Sequence, residues 1–318
     1  MLASQSQAKI EQFDPQNLQN AVWSFAKIGH REMPFYEAIS STCIQRISEF
    51  SVQDLTGTAW AFATLTLTSH LRVGAALVDV LAQGAQERRT QFAPRDLAST
   101  FWAMAKLESS NRPLMDLLSD HSLKSAMVCQ FKPQDCSVAA WAMAQLAFVH
   151  SPFLLSLIEQ ILSQIKYFGS QDISNTAWAS AKLLIRDTRL WTALSAAARE
   201  GIAQFAAQKI SNTAWGFSTI EVSDFELFQA VAENSIGKLT SFTAQDKANT
   251  VWALAKQDHL HLPFMDAVAV ESLRSIAEYT QQHISNISWA FAKLLVHNTS
   301  LMNMFCGKIH KEIDQAQA

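Results

Sequence analysis

Apolar residues in this chain recur at helical spacing. Segments such as PFYEAISSTCIQRISEF (34–50) and PFLLSLIEQILSQIKYF (152–168) place them at i, i+3, i+4 and i+7, which is the stripe of an amphipathic helix. No segment sustains period-two alternation, and only 9 glycines punctuate 318 residues. The pattern predicts an all-α protein.

The helical pattern is itself periodic. Eight of the 9 tryptophans stand at Trp23, Trp60, Trp102, Trp141, Trp178, Trp215, Trp252 and Trp289, in steps of 37, 42, 39, 37, 37, 37 and 37 residues. Only Trp191 lies off the series. Ten residues before each phased Trp comes an aromatic: Phe13, Phe50, Phe92, Phe131, Phe168, Phe205, Phe242 and Tyr279. The intervening segments read FDPQNLQNAVWSFAKI, FAPRDLASTFWAMAKL, FGSQDISNTAWASAKL and FTAQDKANTVWALAKQ, with SNTAW occurring twice. A fixed period of this length is the mark of a repeat array.

Each unit reads as two helices. The Trp-bearing helix, B, opens at Asp14-Pro15 and at the matching Pro94 and Pro133, since Asp suits an N-cap and Pro the first helical position. Asp54, Asp96, Asp135, Asp172 and Asp246 follow in the first turn, where a carboxylate complements the helix dipole. Helix B runs about five residues beyond the Trp. A break follows, and helix A begins at a proline eleven residues after the Trp, at Pro34, Pro113, Pro152 and Pro263. The 42-residue step puts an insertion in or beside the helix A around LRVGAALVDVLAQGAQERRTQF, where local irregularity is expected. Residues 1–12 look like a partial helix A and 300–316 like a final helix A without its B partner, as in a piece of a longer array.

Hairpins of this length bury their apolar faces only by stacking on neighbours. The expected fold is therefore an all-α, right-handed α-solenoid of about eight helical hairpins. It is expected to span 1–318 as one array, with B helices centred near 23, 60, 102, 141, 178, 215, 252 and 289 and no separate catalytic domain.

A helical wheel at ~100° per residue sorts the faces of helix B. With the Trp at zero, positions −5, −1, +2 and +3 share one side; Ile173, Ala177, Ser180 and Ala181 are an example. Small residues at −1, +1 and +3 imply close helix approach. The Trp flanks this face and is expected to fill space between hairpins, the alternative being a base-stacking role.

Asn at −3 and Lys at +4 lie together on another strip, about two turns, or ~10 Å, apart. The asparagines are Asn20, Asn175, Asn212, Asn249 and Asn286, with Gly57, Ser99 and Val138 in the other units. The lysines are Lys27, Lys106, Lys182, Lys256 and Lys293, with Thr64, Gln145 and Thr219 elsewhere. Two readings compete. In one, Asn bonds a neighbour's backbone as a ladder and Lys is a solvated helix-end residue. In the other, the strip lines a groove where Lys meets phosphates and Asn reads bases or ribose hydroxyls.

Charge narrows the picture. With 25 Lys and Arg against 28 Asp and Glu, the net charge is −3 and there is no global basic field. A local basic strip remains open. Asn286-Ile-Ser and Asn298-Thr-Ser match the glycosylation sequon, a pattern common by chance. Cys43, Cys129, Cys136 and Cys306 form no CxxC pair and read as free, mostly buried thiols. No apolar run approaches the ~18–20 residues of a membrane span. The opening MLASQSQAKIEQF lacks the features of a secretory signal or an Arg-rich transit peptide.

Catalytic constellations are missing: there is no Gly-rich phosphate loop, GxSxG or HExxH. His259-Leu-His261 beside Asp258 is the densest histidine cluster, but it sits in a turn between helices and no further ligand at metal spacing accompanies it. No catalytic residue, metal or cofactor is expected.

The segments FAPRDLASTFWAMAKL and FTAQDKANTVWALAKQ resemble helix B of octotricopeptide and heptatricopeptide repeats, which are organellar RNA-binding α-solenoids. The 37-residue step suits the heptatricopeptide form. Similar helices occur in FAST-kinase-like RNA proteins and in helical-repeat subunits of the kinetoplastid RNA-editing substrate-binding complex. The resemblance covers about residues 13–316. It implies a non-enzymatic protein that binds single-stranded RNA in organellar processing, editing, stability or translation. It also implies mitochondrial or plastid residence, with the cytoplasm as alternative, and partners among other subunits of an RNA-processing complex. Asn20, Lys27, Lys106, Asn175, Lys182, Asn212, Asn249, Lys256, Asn286 and Lys293 are the candidate RNA-binding residues. The alternative is a protein-interaction scaffold using the same surface.

Overall fold

The computed structural model describes residues 10–30, 32–65, 71–109 and 111–317. Among them are sixteen α-helices and no strand. In chain order they pair as α1 (Pro15–Lys27) with α2 (Met33–Gln45), α3 (Val52–Leu65) with α4 (Leu71–Glu87), α5 (Pro94–Lys106) with α6 (Arg112–Lys124), and α7 (Pro133–Gln145) with α8 (Ser151–Gln164). Then come α9 (Ser170–Lys182) with α10 (Thr188–Gly201), α11 (Ala207–Ile220) with α12 (Phe225–Ile236), α13 (Ala244–Lys256) with α14 (Leu262–Arg274), and α15 (Gln281–Lys293) with α16 (Thr299–Gln317). Odd-numbered helices are the B helices and even-numbered ones the A helices. No described helix is long and apolar enough to cross a membrane.

The helix starts follow from capping chemistry. The Asp14 carboxylate accepts the Asn17 N–H at 2.7 Å ahead of Pro15. In α3, α5, α7, α9 and α13 the first-turn Asp reaches back to the N-cap N–H instead, as Asp96 does to Ala93 at 3.0 Å and Asp172 to Gly169 at 3.1 Å. Each carboxylate satisfies an orphan donor while facing the positive end of the dipole. The A helices begin one residue before the predicted prolines, at Met33, Arg112, Ser151 and Leu262. Pro is tolerated there because its missing N–H would be unpaired in the first turn anyway.

The ends of the B helices are equally regular. The residue six past the Trp turns left-handed: Gly29, Glu108, Ala147, Leu184, Glu221, Asp258 and Leu295 all have φ between 48° and 70°. The next N–H then closes back on the carbonyl two past the Trp, as in Phe148 to Met143 at 2.9 Å and Val296 to Phe291 at 2.8 Å. This 6→1 bond is the Schellman stop. It turns the chain sharply into helix A with glycine at only one of the seven positions.

The chain divides into two compact units, Met1–Ser163 and Gln164–Ala318. In the first, α1, α3, α5 and α7 stack in order; in the second, α9, α11, α13 and α15 do so. The A helices form the other layer, with α2 beside α4 and α4 beside α6, and α10, α12, α14 and α16 in succession. Each unit is thus a two-layer stack of hairpins, an α-solenoid segment. Positions −5, −1, +2 and +3 of helix B face the core as the wheel predicts; Ile173, Ala177, Ser180 and Ala181 are buried.

The aromatics ten residues before the Trp are core anchors. Phe50, Phe131, Phe205, Phe242 and Tyr279 are all buried where a 3-10 turn hands over to helix B. The off-series Trp191 is buried too, with 2% exposure. It donates its indole N–H to the Ile185 carbonyl at 2.8 Å and meets Phe217 edge-on.

The insertion lengthens helix A: α4 has 17 residues where α6 has 13. Residues 66–70, where that irregularity begins, lie outside the described residues, as do residues 1–9 of the partial helix A. Residues 10–12 form a 3-10 turn. None of the four cysteines is in a disulfide, but Cys129 and Cys306 are exposed; only Cys43 and Cys136 are buried, and burial pushes the Cys43 thiol up to about 12.

Candidate nucleic-acid interface

The phased tryptophans are not core residues. None of the eight is buried, and Trp23 and Trp289 are 41% and 43% exposed. Close approach of the B helices through their small residues brings indoles of each unit side by side at the surface. In the first unit Trp23 lies 6.0 Å from Trp60, and Trp60 lies 6.1 Å from Trp102 with planes only 22° apart. In the second, Trp178 meets Trp215 at 6.4 Å and Trp252 meets Trp289 at 6.5 Å. Rings this close touch one another. A flat ligand would stack on their open faces and edges rather than slide between them.

The sequence-predicted lysines gather on these indoles. Lys27 lies 5.9 Å over Trp60 and Lys106 lies 5.2 Å over Trp141, each reaching to the next hairpin. Lys182 and Lys293 instead cover the Trp of their own helix, at 5.8 Å and 5.5 Å. An exposed cation–π contact contributes ~0.5–1 kcal/mol, so it orients the ammonium without committing it. The fifth lysine is held differently. Lys256 pairs with Glu221 at 2.9 Å, and Lys293 also pairs with Asp258 at 3.0 Å.

Those two acids occupy the left-handed position six past the preceding Trp. The Lys256 ammonium holds the Glu221 carboxyl below its usual range. The pairing was invisible from one unit's pattern, since it joins position +6 of one hairpin to +4 of the next. Its only signal was an acid at +6 followed 35 residues later by Lys, at Glu221 with Lys256 and at Asp258 with Lys293.

The asparagines lie on the same side as the Trp file. Asn20 is exposed, and Asn175, Asn212, Asn249 and Asn286 are half-buried. Among the described residues, none of the five bonds a neighbouring hairpin's backbone; Asn175 accepts from Gln171 at 2.7 Å, within its own helix. The backbone ladder is built by other residues. Lys238 donates to the Ala203 and Phe205 carbonyls at 2.7 and 2.9 Å, Gln160 to Phe131 at 2.9 Å, and Lys308 to Ala277 at 3.0 Å. In the first unit Arg88 reaches the Ser48 carbonyl at 2.6 Å. These donors sit within or just past the A helices and vary in type, so no single-letter pattern revealed them.

The Asp258–His261 cluster serves structure. The His261 imidazole caps α14 by accepting the Phe264 N–H at 3.2 Å, and His259 is buried 3.2 Å from the Gln229 amide oxygen. Among the described residues, no group of three His, Cys, Asp or Glu could hold a metal ion.

Comparison with known proteins is consistent with this geometry. The family described as RNA-editing substrate-binding complex 6 protein matches residues 43–188 and 185–317. No curated protein matches the chain. The match carries the RNA-editing part of the sequence resemblance and lends nothing to its octotricopeptide, heptatricopeptide or plastid parts. The two matched segments take in most of the chain, which belongs to the RNA-editing substrate-binding complex 6 protein family.

Proposed function

We propose that this chain is a non-enzymatic subunit that binds single-stranded RNA along the exposed Trp–Lys file of its B helices. Membership in its family implies a role in an RNA-editing complex, for which the kinetoplastid mitochondrion is the compatible compartment. The observation that carries the RNA reading is the half-exposed indole file with lysine ammoniums resting on it. Aromatic faces stack bases without regard to sequence, and nearby cations engage the phosphates. Lys27, Lys106 and Lys182 are the free cations of the five; Lys256 and Lys293 already face carboxylates.

A second reading is favoured by those two ion pairs. If Lys256 and Lys293 serve to tie hairpins together, the surface they share suits a protein partner in the same complex.

The test is RNA binding measured against salt for wild type and two variants. Changing Lys27, Lys106 and Lys182 together to Glu is expected to weaken binding at least tenfold and flatten the slope of log K against log salt by roughly 2. Changing Lys256 and Lys293 to Glu is expected to do less. An unchanged affinity and slope in the triple variant would overturn the RNA reading and leave the scaffold.

A further inference from the structure

The second unit carries a second periodic feature beside its asparagines. Each of its four B helices has Gln four residues before the Asn: Gln171–Asn175, Gln208–Asn212, Gln245–Asn249 and Gln282–Asn286. In the first unit only Gln16–Asn20 keeps the pair; Gln53, Arg95 and Gln134 are followed by Gly57, Ser99 and Val138. Residues four apart share a helix face about 6 Å apart along the axis. The 2.7 Å bond from Gln171 to Asn175 shows the two amides meeting there. The second unit therefore presents eight primary amides in register.

Two neighbouring pairs open into one cleft. Gln208, Asn212, Gln245 and Asn249 line a cleft of about 820 Å³ between the N-terminal ends of α11 and α13. Its charged and hydroxyl groups are engaged. Lys238 holds the Ala203 and Phe205 carbonyls, Asp246 accepts from the Thr243 N–H and hydroxyl, and Ser241 donates to the Lys238 carbonyl. Among the described residues, the four amides have no hydrogen-bond partner. Beyond that lysine ammonium and that carboxylate, both already hydrogen-bonded, the cleft offers a ligand four unengaged amides, each pairing a donor with an acceptor. Three residues beyond each Asn, on the same helix and outside the cleft lining, stands a partly exposed indole, Trp215 or Trp252.

Neutral amides next to an aromatic face match the edge and plane of a nucleobase, whereas phosphate calls for cations. We propose that the Gln–Asn array of the second unit discriminates among bases, with one base entering between successive hairpins at the Asn212–Asn249 cleft. The inference rests on the RNA-binding reading above and assigns base discrimination to the second unit. The first unit, lacking three of its four amide pairs, contributes stacking and charge without discrimination.

The experiment compares binding of the full chain to 20-nucleotide U, A and C homopolymers at several salt concentrations. The variants are Asn212→Ala with Asn249→Ala, and separately Gln208→Ala with Gln245→Ala, each checked for unchanged helicity and melting. Wild type is expected to show an affinity spread of about tenfold or more among the three RNAs, the worth of one good bidentate contact. Either variant should shrink that spread to about threefold while leaving the salt slope unchanged. A wild-type spread within about twofold, or a spread retained in both variants, overturns the inference. Lysine variants that lose binding while the amide variants keep the spread would sink this inference alone. No binding of any RNA by wild type would sink it together with the RNA reading.

Discussion

Gly216 packs against the backbone of Ala177 so closely that a methyl group built on it would lie 2.8 Å from the Ala177 carbonyl oxygen. The position, one past the Trp, is Ala in α3, α5, α7, α9, α13 and α15, so α9 and α11 approach more tightly here than a Cβ permits. Gly216→Ala is expected to destabilise the protein by ~1–3 kcal/mol, as overpacking does where the obstacle is rigid backbone. Gly57→Ala meets only the flexible Gln19 side chain and should change stability far less. Urea unfolding of the two variants checks this; equal effects would show that the close approach is unimportant.

Lys247 should be a stabilising position to mutate. It is 3% exposed at the −5 position, where the other seven units place Leu, Ile or Cys. Its ammonium donates to the Ser275 hydroxyl at 3.1 Å and lies 6.0 Å over Tyr279. Burial pushes its pKa below the ordinary lysine range, so the charged form costs stability at neutral pH and the cost fades as pH rises towards that range. In Lys247→Ile no partner is orphaned, because Ser275 still donates to the Glu271 carbonyl and Tyr279 still bonds Ser272. A gain of about 1–3 kcal/mol is expected. A loss of stability in denaturant titration would refute it.

The acids opposite Lys256 and Lys293 should restrain RNA binding. Glu221→Gln with Asp258→Asn removes two exposed pairs, so stability should shift by less than ~1 kcal/mol. The freed lysines should steepen the salt slope for RNA by roughly 1. A slope identical to wild type would mean that these lysines never meet phosphate.

Acidification should weaken the fold through its histidines. Burial, with His261 beside it, holds His259 below the ordinary imidazole range, and burial does the same to His283. The unfolded chain takes up protons near pH ~6.5 where the native state does not. Stability is therefore full above that pH and falls as pH drops towards the depressed native values. His259→Leu should reduce, without abolishing, the difference between unfolding midpoints at pH 7.5 and 5.0. A difference as large as in wild type would exclude His259 as a contributor.

How much of this was legible varied by position. The Trp phase, the Asp-Pro starts and the turn residues located every B helix, because capping and periodicity are local properties that survive any tertiary arrangement. The aromatic ten before the Trp marked only the phase until the structure buried it, whereas the −5, −1, +2 and +3 face was readable as core-facing. The Trp was not: its size suggested a core role, although the wheel set it within 60° of Asn and Lys, on their side. Its neighbours decide its exposure, since small residues at +1 and −1 draw the helices together and squeeze the large ring out to the surface.

The candidate site divides in the same way. By itself, the sequence determined the helical repeat, its register and the coincidence of Trp, Lys and Asn on one strip, all consequences of 3.6 residues per turn. Only the tertiary structure decided that Lys256 faces Glu221 while Lys106 rests on Trp141, and that Asn212 and Asn249 open into one cleft with their amides free. Such pairings join residues 35 to 37 positions apart. They depend on the offset between stacked hairpins, which is set by how closely residues such as Gly216 and Ala177 allow two backbones to approach.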